Sequence, residues 1–138
     1  MTDNNNAELI GRFSDKYRHG QTELLQKIEM SVFGCVYGAT SWTTRDEADA
    51  VAKKLDLGPG TKLLDVGAGT GWPSIYWAGQ TGCEAVCIDL PQEGLQVLRN
   101  RAVEENVGAQ IKTARADGAA LPFGHGGFDA VFHSDVLC

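Results

Sequence analysis

The chain has 138 residues, which sets the expectation of one domain. Hydrophobic residues make up 43% and charged residues 22%, values that suit a globular protein and exclude a disordered or fibrous one. The net charge of −6 gains nothing from counterion release on a phosphate backbone, so no nucleic-acid partner is expected.

The first six residues, Met1 to Asn6, lack both a basic and an apolar segment. No signal peptide is read there, and no stretch is long enough to span a membrane. The expectation is a soluble, cytoplasmic protein without a membrane partner. From Ala7 to about Val32 the apolar residues fall at helical spacing, with Leu9, Ile10, Phe13 and Tyr17, then Leu24, Leu25, Ile28 and Val32. Gly20 divides the run into two helices. Phe33 to Thr43, rich in Gly, aromatic and small residues, reads as an ordered loop. A further helix starts at Thr44, which forms a capping box with Glu47. Ala48, Val51, Ala52 and Leu55 are its apolar stripe, Lys53-Lys54 a solvated basic face, and Gly58-Pro59-Gly60 its stop.

After Gly60 short apolar runs alternate with helical stretches. Strands are predicted at Lys62–Val66, Ala85–Asp89, Gln110–Ala114 and Phe128–His133. Helices are predicted at Trp72–Gln80 and from Pro91 to about Glu105, the latter with Leu95, Leu98 and Ala102 on one side. This β-α-β-α-β order predicts an α/β fold with a doubly wound parallel sheet and right-handed crossovers. Residues 1–60 form an N-terminal helical cap and lead-in helix, and residues 61–138 the cofactor-binding half. Cys35, Cys83, Cys87 and Cys138 contain no C-x-x-C pair and read as small buried apolar residues in a reducing compartment. No metal site is expected.

The first strand ends in Asp65-Val66-Gly67-Ala68-Gly69-Thr70-Gly71. Glycines let the chain turn tightly and leave no Cβ between backbone and ligand, and the following helix offers unpaired N–H groups. Asp89 ends the second strand about twenty residues on, where a carboxylate accepts ribose hydroxyls. Together they suggest an adenosine-containing cofactor. A dinucleotide fingerprint needs glycine at the sixth position, which here is Trp72. Asp65 also suits a cationic sulfonium and amino group better than an anionic pyrophosphate.

Asp-x-Gly-x-Gly-x-Gly resembles the first motif of class I S-adenosylmethionine-dependent methyltransferases of Rossmann-like fold. Ile88-Asp89-Leu90 resembles their second-strand acid. Asp117-Gly118-Ala119-Ala120-Leu121-Pro122-Phe123 and Gly127-Phe128-Asp129-Ala130-Val131 are similar to their third- and fourth-strand segments. The resemblance covers about Lys62 to Cys138. It implies S-adenosyl-L-methionine as cofactor, with Gly67, Ala68, Gly69 and Gly71 under its methionyl part and Asp65 near its amino group. It further implies Asp89 on the ribose, Leu90 beside the adenine, and Asp117, Gly118 and Ala119 around the adenine amino group. His125 departs from the acidic residue common in that turn, and reads as an exposed loop residue.

Strands of such a sheet present their carboxyl ends to the ligand, which brings His133, Ser134 and Asp135 near the methyl group. This exit is similar to that of phosphoethanolamine-type small-molecule methyltransferases, where an acid at the Asp135 position helps hold the acceptor. His133 is a candidate base, and the alternative for both residues is local hydrogen bonding and capping. The loop before the first strand resembles a segment that closes over the cofactor. Tyr17 of the upstream helix and Tyr37, Trp42 and Thr43 of this loop are candidates to close the site, with Thr43 a cofactor contact, although Trp42-Thr43-Thr44-Arg45 departs from the relatives' Ser-x-Gly-Gly. The alternative is that these aromatics pack a helical cap.

The family sheet has seven strands in the order 3-2-1-4-5-7-6, so the C-terminal strands are expected to be missing here. Either the chain is a fragment of a longer enzyme, or it pairs through the exposed edge of strand four as a dimer. The leading expectation is methyl transfer to a small-molecule acceptor. The alternatives are a non-catalytic cofactor-binding or assembly module, and a nicotinamide dehydrogenase, against which Trp72 speaks.

Overall fold

The computed structural model describes residues 2–36, 41, 43–134 and 136. Helix α1 spans Thr2–His19, α2 Glu23–Phe33 and α3 Arg45–Lys54. They precede β1 (Lys62–Val66), α4 (Ser74–Thr81), β2 (Glu84–Asp89), α5 (Gln92–Glu104), β3 (Ile111–Arg115) and β4 (Ala130–His133). The four strands form one parallel sheet in the order β3-β2-β1-β4. Leu64 of β1 lies between Val86 of β2 and Val131 of β4, and this register brings the ends of β1 and β2 side by side. Crossover helices between parallel strands produce the doubly wound α/β arrangement expected from the sequence.

Alternation along the strands sends Leu63, Ala85, Cys87 and Ile111 to one face, where α4 and α5 cover them with Ile75, Trp77, Leu95, Leu98 and Ala102. Cys83 and Cys87 are fully buried in this layer as free thiols. Trp77, the largest fully buried side chain, donates its indole N–H to Ala48 O at 2.8 Å and meets Phe132 edge-on at 4.9 Å. One residue thereby ties α3, α4 and β4 together. The capping box of α3 is present as read, with Thr44 and Glu47 exchanging side-chain and backbone hydrogen bonds. On the other face a cavity of about 380 Å³ opens beside the amino ends of the strands, with Phe123, His125 and Phe128 in its wall.

Several boundaries differ from the sequence reading by a residue, and three differ by more. Helix α1 begins at Thr2 and not Ala7, so it continues through an Asn run whose residue type favours caps over helix interiors. Helix α4 begins at Ser74, because the glycine turn continues through Gly71, whose carbonyl accepts the first helical bond from Ile75 N–H at 2.8 Å. Strand β4 begins at Ala130, because Asp129 clamps the start of β1 instead. Its N–H donates to Lys62 O and its carboxylate accepts from Lys62 N–H, both at 2.8 Å. No helix among the described residues is long and apolar enough to cross a membrane.

Candidate functional site

The site forms where β1 and β2 end. Gly67 and Ala68 N–H both donate to Ile88 O, at 2.9 and 3.0 Å, and this folds the loop across the end of β2. Gly67, Gly69 and Gly71 have φ of 76°, 55° and 103°, a region that L side chains avoid. At Gly71 a Cβ would also lie 2.6 Å from Ile75 Cδ1 and 2.9 Å from Leu98 Cγ, so this glycine serves helix packing.

A cavity of about 440 Å³ opens above the loop, within the range of small-molecule sites. Asp65, Gly67, Ala68, Gly69 and Trp72 form its floor, and Asp89 and Leu90 one wall. Helix α1 closes another side with Phe13 and Tyr17, and the exit of β4 adds Phe132 and Ser134.

The two carboxylates differ in what holds them. Asp65 is 1% exposed and accepts from Ser74 Oγ at 2.6 Å. Burial pushes its carboxyl up to about 7, Asp89 adds a smaller push in the same direction, and the Ser74 hydrogen bond opposes both. Asp89 accepts Leu90 N–H on Oδ1 at 2.8 Å, and on Oδ2 Gly69 N–H at 2.8 Å and the Tyr17 hydroxyl at 2.9 Å. Burial raises its carboxyl above the ordinary range, and these hydrogen bonds pull it back. Burial, reinforced by Asp89, also raises the Tyr17 phenol, which remains a donor.

Of the residues singled out by sequence, the structure gathers Asp65, Gly67, Ala68, Gly69, Asp89, Leu90 and Tyr17 around the cavity. Asp117, Gly118 and Ala119 lie outside its lining, on the turn after β3. Ala116 N–H ties that turn to Asp89 O at 3.2 Å, while the Asp117 carboxylate accepts Ala119 N–H at 2.8 Å. Thr43 also lies outside the lining, and Ser41 takes the place in the wall. The Thr43 carbonyl accepts the Trp72 indole N–H at 2.9 Å, and its hydroxyl meets Ser134 Oγ at 3.4 Å. Strand alternation turns His133 to the sheet face opposite Phe132, outside the lining. Asp135, Tyr37 and Trp42 lie outside the described residues.

Sequence reasoning missed Ser74, Ser41 and the lining role of Trp72. A serine early in a helix carries no signal that a carboxylate nine residues earlier will need its proton. Trp72 was conspicuous in the sequence, but only as a residue that displaces a dinucleotide glycine.

A parallel sheet with a glycine loop and an acid at the ends of adjacent strands defines an α/β unit of Rossmann-like fold. Residues 64–138, over half the chain, match the family described as a methyltransferase domain, and the chain belongs to that family. It is 34% identical over 87 residues to a glycine/sarcosine/dimethylglycine N-methyltransferase of Actinopolyspora halophila, covering 62% of this chain and 15% of that protein. A methyltransferase of Thiobacillus denitrificans, solved with S-adenosyl-L-homocysteine, shares the fold at TM-score 0.61 and 22% identity, over 81% of this chain and 43% of that one. The cyclase SpnF is similar at TM-score 0.55 and 27% identity, over 69% of this chain and 36% of that one. The chain spans 15% to 33% of the length of the curated relatives it matches.

Proposed function

We propose that the chain supplies the cofactor-binding half of an enzyme that transfers a methyl group from S-adenosyl-L-methionine to a small-molecule acceptor. The observation that carries this reading is the joint placement of Asp65, Asp89 and the positive-φ glycine loop around one cavity. The donor set fits that cofactor on chemical grounds. A buried carboxylate at the end of β1 favours a cationic amino group, and Asp89 can accept ribose hydroxyls. Leu9, Ile10, Phe13 and Leu90 offer apolar surface for a flat base. Asp117, Gly118 and Ala119, on the turn that Ala116 N–H ties to Asp89 O, are proposed as the edge for the base's amino group, and Thr43 as a contact reached through Ser41, to which it is hydrogen-bonded.

When bound, the cofactor supplies an electrophilic methyl carbon on a positively charged sulfur. The protein's part is then position and dryness. Gly67, Ala68 and Gly69 let the donor lie against backbone, while Phe13, Phe132 and Trp72 keep water from the floor. The acceptor approaches from the β4 exit, where Ser134 lines the cavity and Asp135 is proposed to hold it. His133, on the other face of the sheet, has no part in this reading.

A small acceptor agrees with the name of the Actinopolyspora halophila relative. The net charge of −6 disfavours nucleic acid, and the buried free thiols suit a cytoplasmic location. Methyl transfer from labelled cofactor to a panel of small amines and hydroxylated metabolites tests the reading. Turnover by the full-length enzyme that contains this half, lowered at least tenfold by Asp89→Ala, supports it, and cofactor binding by that enzyme without turnover on any acceptor contradicts it.

The second reading is a non-catalytic cofactor-binding or assembly module. It is favoured by the outer edge of β4, where Val131 is 58% exposed. Its signature is cofactor binding without turnover together with a stable dimer.

A further inference from the structure

The Asp89 carboxylate is nearly full. It already accepts Leu90 N–H on Oδ1, and Gly69 N–H and the Tyr17 hydroxyl on Oδ2. A carboxylate offers about four lone-pair places, so one remains. A ribose with both hydroxyls free donates two hydrogen bonds, one more than the carboxylate can take. The Leu90 and Gly69 donors are backbone groups of the strand end and of a loop fastened to Ile88 O. Tyr17 is a side chain on a separate element, α1, and is the donor able to leave.

We propose that Tyr17 is a specificity-determining competitor at the ribose place: its hydroxyl occupies Asp89 until a ligand with both ribose hydroxyls displaces it. A ligand with a single ribose hydroxyl takes the remaining place and leaves Tyr17 where it is. The inference rests on the cofactor reading above.

The contact is built into the packing. Tyr17 is 6% exposed and lines the same cavity as Asp89 and Leu90. Its ring lies on Gly94 at the start of α5, where a Cβ would come within 2.7 Å of Tyr17 Cδ2. One turn earlier on α1, Ser14 Oγ donates to Glu93 Oε2 at 2.8 Å, and Arg18 faces the same carboxylate at 3.9 Å. Helix α1 is therefore held against α5 by contacts that flank the Tyr17 bond.

The test is calorimetric binding of S-adenosyl-L-homocysteine and of its 2′-deoxy analogue to the chain and to Tyr17→Phe in the same buffer. Thermal unfolding without ligand checks that the variant is folded. Loss of a competing hydrogen bond to a charged acceptor should tighten S-adenosyl-L-homocysteine about tenfold in the variant and leave the deoxy analogue unchanged. Ser14→Ala, which loosens α1 without touching the cavity, should tighten it in the same sense by a few-fold. Equal or weaker binding to Tyr17→Phe overturns the proposal, as does an equal gain for both ligands. No binding of S-adenosyl-L-homocysteine to the unaltered chain overturns the cofactor reading with it. Binding that Tyr17→Phe leaves unchanged overturns the Tyr17 inference alone.

Discussion

Asp65 ends its strand with one serine hydroxyl in reach and almost no water, and this sets a pH dependence. Its carboxyl rises from an ordinary 3.8 to about 7 on folding. Below pH 4 both folded and unfolded chains carry the proton. Between pH 4 and pH 7 only the folded chain keeps it, so this residue's contribution to stability falls across that window, by a few kcal/mol in order of magnitude. Asp65→Asn should flatten that fall, read as the difference in Tm between pH 4.5 and pH 7 for the two proteins. Parallel Tm profiles would contradict it. The glycine loop and both acids were legible in the sequence, because their spacing follows from one strand-turn-helix unit and the next strand. The Tyr17 bond to Asp89 was not, since the two residues are 72 positions apart and only docking of α1 brings them together.

Among the elements, the turn into α4 shows how local rules and packing divide the work. The sequence reading placed Gly71 under the ligand with its neighbours. The structure gives it φ 103°, with Ile75 and Leu98 where a Cβ would go, so packing alone already requires a glycine there. Gly71→Ala should therefore lower stability by about 1–3 kcal/mol, through backbone strain and overpacking. Denaturant unfolding measures this, and a loss near zero would contradict the packing role. The capping box of α3 was legible because both partners lie within four residues. The start of β4 was not, because the hydrogen bonds that take Asp129 out of the strand go to Lys62, a residue 67 positions away.

For the molecule as a whole, the alternation of strands and helices was enough to place all four strands in one parallel sheet. Periodicity separates the two element types, and crossover helices leave few arrangements open. The sheet places the cavity at the carboxyl ends of β1 and β2, beside the exit of β4. Strand β4 lies at the edge of the sheet, with Val131 exposed. Pairing through this edge, proposed from the sequence, predicts a concentration-dependent dimer that Val131→Lys weakens, since an edge lysine opposes strand pairing. Sedimentation of both proteins decides it: a monomer at every concentration contradicts the pairing.

The cavity above the Asp65–Gly71 loop is the proposed place of an S-adenosyl ligand. Calorimetric titration with S-adenosyl-L-homocysteine, with NADH as control, tests it most directly. S-adenosyl-L-homocysteine should bind one-to-one, NADH should not bind, and Asp89→Ala should bind roughly ten- to hundredfold more weakly, the range for losing hydrogen bonds to a charged group. No heat at millimolar S-adenosyl-L-homocysteine, or binding that Asp89→Ala leaves intact, would contradict it.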